Sequence, residues 1–310
     1  MKKVLITGGA GFLGSHLCDY FIENGDKVIC LDNLYTGSLE NINHLQNHEN
    51  FSFINHNIIE PIDLKVDVIY NFACPASPPH YQKDPIFTFK TSVWGILNML
   101  ELARKNNAII IQASTSEVYG DPLQHPQSET YWGNTNCFGK RSCYDEGKRS
   151  AETLMYDYFH QYNVDIKIVR IFNTYGPHMN KDDGRVVSNF ITQALKNEDI
   201  TIYGDGEQTR SFCYVSDLIA GIVKLGAMPK GYTGPVNIGN SNERSVKELA
   251  ELIIKKTNSR SKLIQLPLPA DDPIKRRPDN SMAKNDLNWN PVVDINDGLD
   301  LSIEYYKTVI

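Results

Sequence analysis

The sequence has no apolar run that approaches the roughly 20 residues needed to span a bilayer. Near its start, the apolar run VLIT at residues 4–7 ends in glycines and is too short for the hydrophobic region of a signal peptide. Internal repeats, low-complexity tracts and long charge runs are missing as well. We therefore expect a cytoplasmic protein without a membrane partner.

Patterns typical of metal sites and disulfide frameworks are also missing. The six cysteines include no C-x-x-C pair and have no histidines at zinc spacing. Several of them lie in apolar strand or helix patterns, which is typical of small buried side chains. We predict no metal site, and no disulfide framework in so large a cytosolic chain.

An excess of positive charge is missing too, since the net charge is −6. Proteins that bind nucleic acid in general need a basic face, so we do not expect that function. A small anionic substrate is compatible with this charge, because a few local arginines are enough to bind it.

What the sequence does have is a series of apolar runs rich in Val and Ile, separated by segments long enough for helices. Near-continuous apolar runs are what a parallel sheet buried on both faces requires. The runs are VLIT (4–7), KVICLD (27–32), FSFIN (51–55), VDVIYNFA (66–73), AIIIQAS (108–114) and IKIVRIF (166–172). The clearest helix begins at Asp84-Pro85, a good N-cap followed by Pro at the first helical position. This alternation predicts a Rossmann-type, doubly wound α/β fold.

After about residue 173 the composition changes, and Gly, Pro, Asn and Asp separate short segments such as LPLPADDPIKRRPD. The usual size of domains also favours more than one unit in a chain of 310 residues. We predict a Rossmann domain at residues 1–173 and a smaller C-terminal substrate-binding lobe at 174–310, built around loops. The segment at roughly 211–240 is a candidate to return to the first domain.

The segment GGAGFLG comes directly after the first predicted strand and opens a helix. Glycines there let the backbone approach a pyrophosphate, which binds at the helix N-terminus. Asp32 ends the second strand, 18 residues after Gly14, where it can bind a ribose 2′-hydroxyl and repel a 2′-phosphate. This context predicts NAD rather than NADP. The alternative is a strand-terminal Asp that serves a turn.

Tyr144 and Lys148 are four residues apart in a predicted helix, so their side chains share one face. A nearby ammonium and a cationic nicotinamide would favour the phenolate, which can take a proton from a sugar hydroxyl. Thr115, at the carboxyl end of a parallel strand, can bind the same hydroxyl. Alone, the Tyr–Lys spacing is typical of a surface contact, and the STS run of a polar turn.

Together these elements resemble the extended short-chain dehydrogenase/reductases. Further motifs resemble the UDP-glucuronate decarboxylase family in particular, over nearly the whole chain to about residue 300. They are CPASPPHY, ASTSEVYGDP, RSCYDEGKR, RIFNTYGP, DGRVVSNFI, YGDGEQTRSF and DDPIKRRPD. TSEVYGDP and SCYDEGKR separate this family from its relatives.

The resemblance implies a role for each matching position. Residues implied to bind NAD are Gly8, Gly11, Phe12, Leu13, Gly14, Asp32, Asn33 and Asn57, with Tyr144 and Lys148 also in contact. Residues implied to bind the nucleotide sugar are Tyr81, Asn173, Arg185, Val186, Tyr203, Arg210 and Arg276. The implied catalytic residues are Tyr144, Lys148, Thr115, Ser116, Glu117 and Arg276. Asn57 and the loop NCFGKR (136–141) depart from the family pattern, which usually has Asp and NPIGPR there.

The implied reaction is NAD-dependent decarboxylation of UDP-glucuronate to UDP-xylose through a 4-keto intermediate. A nucleotide-sugar 4,6-dehydratase or 4-epimerase shares the first oxidation, although dehydratases typically have an Asp–Glu pair where this chain has Ser116–Glu117. A catalytically silent NAD-binding regulator would be expected to lose Tyr144 or Lys148, and both are present. Helices predicted at 86–105 and 144–162 have enough apolar surface for a homodimer interface, as in family dimers.

Overall fold

The computed structural model describes residues 1–267 and 275–310. The strands are β1 (Lys3–Thr7), β2 (Lys27–Asp32), β3 (Phe51–Asn55), β4 (Val68–Asn71), β5 (Ile109–Thr115), β6 (Ile166–Ile171), β7 (Thr174–Tyr175), β8 (Ile200–Tyr203), β9 (Thr209–Ser211), β10 (Cys213–Tyr214), β11 (Val236–Ile238), β12 (Glu243–Ser245), β13 (Leu263–Leu266) and β14 (Lys275–Arg276). The helices are α1 (Phe12–Glu23), α2 (Pro78–Lys83), α3 (Pro85–Lys90), α4 (Ile96–Asn106), α5 (Ser142–Tyr162), α6 (Val186–Lys196), α7 (Val215–Gly226), α8 (Val246–Thr257), α9 (Ser281–Leu287) and α10 (Ile295–Val309).

Seven strands form a central sheet in the order β11-β6-β5-β4-β1-β2-β3, and each neighbouring pair is parallel. Along β1, Val4 and Ile6 belong to one buried apolar core, whereas Leu5 belongs to a second one. This arises because successive side chains of a strand point to opposite faces. Both faces of the sheet are therefore covered, and the predicted doubly wound α/β fold is confirmed.

The winding of the sheet reverses at β1, which has β2 and β3 on one side and β4, β5 and β6 on the other. Loops that leave the carboxyl ends of strands diverge at such a point and leave a crevice between them. The glycine loop comes directly after β1, and Ser116 comes directly after β5. Two of the sequence motifs therefore meet at the same edge of the sheet.

The helix predicted at 86–105 is interrupted. Its start agrees with the prediction, because the Asp84 carboxylate accepts a hydrogen bond of 2.9 Å from the backbone N–H of Phe87. Between α3 and α4, however, the residues Thr91–Gly95 form a π-helical turn. The Thr91 hydroxyl donates to the Phe87 carbonyl at 2.8 Å, and such back-bonding competes with the regular helical pattern.

The smaller lobe has more regular structure than its loop-rich sequence indicated. Helices α6 and α8 pack on each other and on the parallel pair β8–β13, while β9 lies between β12 and β14. Arg276, which we expected in a loop, lies on β14 opposite Arg210 of β9. Strand β11, in contrast, pairs with β6 of the central sheet. The DDP part of the last motif (271–273) lies outside the described residues.

The cysteines are all free thiols, and they differ in exposure. Cys18, Cys30 and Cys213 are buried, as their apolar surroundings predicted, but Cys137 is exposed in the loop before α5. Among the helices of residues 1–267 and 275–310, none is long and apolar enough to cross a membrane.

Asp217, buried in the first turn of α7, attaches the C-terminal segment to the body of the protein. Its Oδ2 accepts hydrogen bonds of 2.9 Å from the backbone N–H groups of Val292 and Val293. Its carbonyl oxygen accepts from the indole of Trp289, also at 2.9 Å. Because α7 packs on α1 beside the central sheet, these bonds fix the chain between α9 and α10 relative to the sheet.

We expect Asp217→Ala to lower the free energy of unfolding by about 3 kcal/mol, since each of its two hydrogen bonds to a charged acceptor contributes about 1.5 kcal/mol or more. Urea denaturation followed by far-UV circular dichroism measures the change. The control is Ser216→Ala at the neighbouring exposed position, which should change stability by less than about 0.5 kcal/mol. If the Asp217→Ala protein were as stable as this control, the hydrogen bonds of Asp217 would not be what attaches the C-terminal segment.

Candidate active site

A cleft of about 1360 Å³ opens at the carboxyl edge of the central sheet, where the winding reverses. All the site residues predicted from the sequence line this cleft. They are Gly8, Gly11, Phe12, Leu13, Gly14, Asp32, Asn33, Asn57, Tyr81, Thr115, Ser116, Glu117, Tyr144, Lys148, Asn173, Arg185, Val186, Tyr203, Arg210 and Arg276. The structure thus brings together residues from both halves of the chain, and their individual roles stay predictions.

The glycine loop forms a tight cradle at one end of the cleft. Gly8 has a left-handed φ of +68°, and a Cβ on Gly14 would lie only 2.1 Å from the Gly8 carbonyl oxygen. Helix α1 begins at Phe12 after the N-cap Gly11, which offers no side chain to its first N–H groups. These groups remain available to an anion in the cleft. The loop therefore fits a pyrophosphate.

Asp32 closes the same end of the cleft. Its carboxylate accepts hydrogen bonds from the backbone N–H groups of Leu34 at 2.7 Å and Ala10 at 3.0 Å. Burial raises the pKa of Asp32, and these two N–H groups oppose the rise. A carboxylate at this position can accept from a ribose diol and repels a 2′-phosphate. With the glycine loop, the donors and acceptors present fit NAD.

Tyr144, Lys148 and Thr115 meet where β5 ends beside α5. The Lys148 ammonium lies 5.7 Å from the centre of the Tyr144 ring and donates to the Ala113 carbonyl at 2.9 Å. Burial strongly raises the pKa of Tyr144, while a hydrogen bond with the Thr115 side chain lowers it in part. We expected the ammonium to favour the phenolate, but the protein alone leaves the pKa above its ordinary value.

Tyr81, on the short helix α2 of the CPASPPHY segment, covers the Tyr144 side chain. The two rings stack with centroids 5.1 Å apart and planes 8° apart. The Tyr81 hydroxyl is buried and has no hydrogen-bond partner within the described part of the chain. An unpaired buried hydroxyl is costly, so it marks a place where a polar ligand group would be stabilised.

Glu117 pairs with two arginines from distant parts of the chain. Its carboxylate accepts from Arg276 and from Arg141. Arg276 is only 3% exposed and also donates to the Gly120 carbonyl at 2.7 Å and to the Ser116 hydroxyl at 3.4 Å. Burial alone would raise the pKa of Glu117, but the guanidinium groups of Arg276 and Arg141 hold it below its ordinary value.

Arg141 and Asp145 belong to this group and were missed by the sequence reasoning. The Asp145 carboxylate is 4.0 Å from the Arg141 Nε, and its other oxygen, Oδ1, is buried without a hydrogen-bond partner among residues 1–267 and 275–310. Burial and the charge of Glu117 raise the pKa of Asp145 to about 7. The i,i+4 spacing of Arg141 and Asp145 beside Tyr144 was the available signal.

The residues predicted to bind the nucleotide lie along the other wall of the cleft. Arg185 caps α6 and makes a two-point ion pair with Asp183, with one bond of 3.0 Å from its Nη2. Arg210 donates to the Thr209 carbonyl at 2.9 Å, and Tyr203 is 44% exposed. This wall therefore presents aromatic and cationic groups to the cleft.

Comparison with known proteins assigns this chain to a family. The family model described as GDP-mannose 4,6 dehydratase matches residues 5–301. UDP-glucuronic acid decarboxylase 1 of Arabidopsis thaliana is 52% identical over 99% of this chain and 70% of its own length. The protein of the same name from Danio rerio is 52% identical over 99% of this chain and 73% of its own. The chain belongs to the UDP-glucuronic acid decarboxylase family.

Among solved structures, UDP-glucuronic acid 4-epimerase from Bacillus cereus has 30% identity and a TM-score of 0.90. The match covers 99% of this chain and 100% of that one, whose structure contains UDP-glucuronic acid and NAD. The family assignment confirms the resemblance drawn from the motifs between CPASPPHY and DDPIKRRPD.

None of the positions that depart from the decarboxylase family pattern is a predicted catalytic residue. The Asn57 side chain accepts from the Ile59 backbone N–H at 3.1 Å, so an amide oxygen holds this turn. In the 136–141 loop, Asn136 accepts from the Phe138 N–H at 3.0 Å and from the Ser142 hydroxyl at 2.7 Å. Arg141 is the last residue of this loop.

We expect Asp145→Asn to stabilise the protein increasingly as pH rises. The folded-state pKa of Asp145 is about 7, whereas an unfolded Asp has a pKa of about 3.9. Between these values, the folded protein keeps a proton that the unfolded chain has released. The free energy of unfolding of the unchanged protein therefore falls by up to about 1.4 kcal/mol per pH unit, and Asn removes this fall.

The advantage of Asp145→Asn should grow between about pH 4 and pH 7 and then stay constant. Urea denaturation at a series of pH values measures it. Asp157→Asn, at an exposed position of the same helix, is the matched control and should show no such growth. An Asp145→Asn advantage that is the same at about pH 4 and about pH 8 would refute the raised pKa.

Proposed function

We propose that this chain decarboxylates UDP-glucuronate to UDP-xylose with NAD that is regenerated in each cycle. The observation that carries the proposal is the group beside Tyr144, where Glu117 pairs with Arg276 and Ser116 lies next to it. A guanidinium there can bind a sugar carboxylate. The identity of 52% with relatives named UDP-glucuronic acid decarboxylases supports the same substrate.

The glycine loop, the N-terminus of α1 and Asp32 would hold NAD through its pyrophosphate and its adenosine ribose. Bound NAD supplies a hydride acceptor and one positive charge at its nicotinamide ring. Asp32 disfavours NADP through charge repulsion. Asn33 and Asn57, which also line the cleft, are proposed to contact the adenosine end.

Tyr144 acts as the base that removes the proton of the sugar 4-hydroxyl as hydride leaves carbon 4. Since burial raises the pKa of Tyr144, its phenolate forms only beside positive charge, and Lys148 supplies part of it. Thr115 binds the same sugar hydroxyl and keeps it aligned with Tyr144. General-base catalysis of this kind contributes a factor of about 10² to 10⁴.

The resulting 4-ketone lies β to the sugar carboxylate, so the electrons of the broken carbon–carbon bond move into an enolate as carbon dioxide leaves. Arg276 and Ser116 orient the carboxylate perpendicular to the plane of that enolate. Because the pKa of Glu117 lies below its ordinary value, Glu117 is ionised and orients a water that relays a proton from the solvent to carbon 5. Hydride then returns to carbon 4, so no external reductant is consumed.

Asn173, Arg185, Val186, Tyr203 and Arg210 are proposed to hold the UDP part of the substrate. Two phosphates need cationic partners, and Arg donates to them with a planar, two-point geometry. Arg210 and Tyr203 come from the smaller lobe, whereas Asn173 lies two positions after the last residue of β6. Tyr81 would border the sugar through its buried hydroxyl.

The rival reactions differ in the step after the 4-ketone. A 4,6-dehydratase needs an acid that protonates the departing 6-hydroxyl, and Ser116 cannot serve as that acid at neutral pH. A 4-epimerase must return the hydride to the opposite face of the sugar and keep the carboxylate. A catalytically silent regulator would not need both Tyr144 and Lys148 in the cleft, and both line it.

We expect the purified chain to release carbon dioxide from UDP-glucuronate and form UDP-xylose without added reductant. Tyr144→Phe should keep NAD binding and lose turnover by at least about 10²-fold, because the base is removed. Product chromatography and bound-NAD quantification measure the two properties. Tyr156→Phe, exposed on the same helix, is the control and should retain activity. Formation of the 4-epimer of UDP-glucuronate without carbon dioxide would identify an epimerase instead.

We also propose a homodimer formed by the α3–α4 face and α5. Large apolar side chains are exposed on this face, among them Ile86, Phe89, Trp94 and Leu97, with Tyr156 on α5. A contiguous exposed apolar patch of this kind is typical of a protein–protein interface. An antiparallel pairing of the two helices with their copies would bury it.

Trp94→Glu should convert the dimer to a monomer. An unpaired carboxylate buried in an apolar interface makes the free energy of association less favourable by about 3 kcal/mol or more. Sedimentation velocity measures the mass. Leu301→Glu, at an exposed position of α10, is the control and should leave the mass unchanged. A monomeric starting protein, or a Trp94→Glu protein that still sediments as a dimer, would exclude this interface.

The cellular location and the division into lobes complete the proposal. We place the protein in the cytoplasm, where a nucleotide-sugar substrate and NAD are both available. The NAD-binding Rossmann domain is proposed to comprise residues 1–173 and part of 211–240, and the nucleotide-sugar-binding lobe the remainder of 174–310. The pairing of β11 with β6 supports the return of that part of the chain.

A further inference from the structure

One buried tyrosine that is close to Glu117 in the chain does not line the cleft. Tyr119 is the last residue of a 3₁₀ turn that begins at Ser116 and includes Glu117. Its side chain is fully buried, and its hydroxyl accepts a hydrogen bond of 3.0 Å from the Arg170 Nη1. The same hydroxyl donates to the Asn237 Oδ1 at 2.7 Å. It is therefore bonded to side chains of two neighbouring strands of the central sheet, β6 and β11.

On one side, hydrogen bonds connect this hydroxyl to α5. Glu152 of α5 makes a two-point ion pair with Arg170, with bonds of 3.0 Å and 2.7 Å. Glu152 lies one helical turn after Lys148, which itself lies one turn after Tyr144. These side chains therefore share one face of α5. The hydroxyl of Tyr119 is thus connected to the face of the helix that contains the proposed base.

On the other side, Asn237 connects the hydroxyl to the chain that follows Arg276. The Asn237 Nδ2 donates to the Gln127 carbonyl at 3.0 Å and to the Asp279 carbonyl at 3.3 Å. The Gln127 N–H donates to the Arg277 carbonyl at 2.9 Å, and the Gln127 carbonyl accepts from the Asp279 N–H at 2.8 Å. These bonds fix the backbone directly after Arg276.

Both sides meet at the group proposed to bind the sugar carboxylate. The carbonyl of Gly120, the residue after Tyr119, accepts from the Arg276 Nη2 at 2.7 Å. Arg276 also forms an ion pair with Glu117. The Tyr119 hydroxyl is therefore a shared bonding partner of the two chain segments that contain this ion pair and of the helix that contains the base.

We propose that Tyr119 is a positioning residue whose hydroxyl holds the Glu117–Arg276 pair in place relative to Tyr144. This role rests on the proposed function, in which Arg276 binds the sugar carboxylate and Tyr144 takes the proton of the 4-hydroxyl. Both groups must act on one sugar ring, and a displacement of about 1 Å can lower a rate about 10²-fold. Hydrogen bonds to buried partners hold reacting groups within such limits.

The simpler alternative is that the network around Tyr119 only stabilises the fold. Loss of the hydroxyl would then lower the thermal midpoint and leave substrate selectivity unchanged. A positioning role predicts instead a selective loss for the substrate that has a carboxylate. The two interpretations therefore differ in a comparison of two nucleotide sugars.

The first measurement uses binding and needs no turnover. Tyr119→Phe removes the hydroxyl and keeps the ring, and it is compared in a Tyr144→Phe background so that no substrate is consumed. Isothermal titration calorimetry of the NAD-loaded protein gives the affinities for UDP-glucuronate and for UDP-glucose, which lacks the carboxylate. We expect the preference for UDP-glucuronate to fall about tenfold, because a displaced guanidinium weakens a charge-assisted bond made only to the carboxylate. The affinity for UDP-glucose should stay unchanged.

Tyr158→Phe in the same background is the matched control. Its hydroxyl is also lost from a hydrogen bond, of 2.6 Å to the Glu101 carboxylate, but that bond lies outside the network of Tyr119. This variant should lower the thermal midpoint and keep the preference for UDP-glucuronate.

The second measurement separates two steps in the protein with Tyr144 intact. In a single turnover of UDP-glucuronate, Tyr119→Phe should slow the release of carbon dioxide about tenfold to 10²-fold relative to the appearance of reduced cofactor. The oxidation continues because Tyr144 keeps its hydrogen bond with Thr115. A loss of both steps in equal proportion would overturn the proposal.

Asn237→Ala breaks the same hydrogen bond from its other end. It should lower the preference for UDP-glucuronate as Tyr119→Phe does, and the double variant should show no further loss, since both act through one bond. Should Tyr119→Phe fail to fold, Asn237→Ala decides the matter. A preference that these variants leave as it is in Tyr158→Phe would overturn the proposal. An unchanged protein that releases no carbon dioxide would contradict the proposed reaction, whereas the binding preference would still decide the role of Tyr119.

Discussion

The architecture of the active site depends on one half-buried carboxylate and the two guanidinium groups that neutralise it. Glu117 lies just after β5, Arg141 precedes α5, and Arg276 comes from β14 of the smaller lobe. Removing one partner of such a largely buried pair costs up to about 3 to 5 kcal/mol, because an uncompensated charge remains. Charge balance therefore fixes the smaller lobe against the central sheet, and Arg276, which supplies this contact, is also the group proposed above to bind the substrate carboxylate.

The burial of Tyr144 and the charges around it determine when its phenol can lose a proton. Burial makes its phenol a weaker acid than a free tyrosine, and the stacked ring of Tyr81 excludes water from one face. The Lys148 ammonium is shared between this ring and the Ala113 carbonyl. A phenolate at Tyr144 is consequently favoured only where further positive charge is close, so the proposed proton removal would depend on bound cofactor. Asp145, with a pKa of about 7, is only half ionised at neutral pH, so it opposes this less than a fully charged carboxylate would.

Local patterns were predictable from the sequence, whereas long-range charge effects were not. The apolar runs located the first six strands, because strands buried on both faces must be almost continuously apolar. The glycine loop and the Tyr144–Lys148 pair were found because their geometry is set by neighbouring residues. The role of Asp145 depends on charges from three separate segments, and the π turn at Thr91 depends on one side-chain bond. Neither the role of Asp145 nor the π turn can be predicted from the spacing of residues in the sequence.

The contact between Gly14 and Gly8 has a consequence for how this sequence can diverge. Every other amino acid at position 14 brings a Cβ to within 2.1 Å of a backbone oxygen, so polarity, size and charge of the replacement are irrelevant. Gly25 is also left-handed, but nothing lies within 4 Å of its Cβ position, and Asn can adopt that backbone. Position 25 can therefore drift between homologues, while position 14 is constrained to glycine for steric reasons that would persist in a relative without any activity.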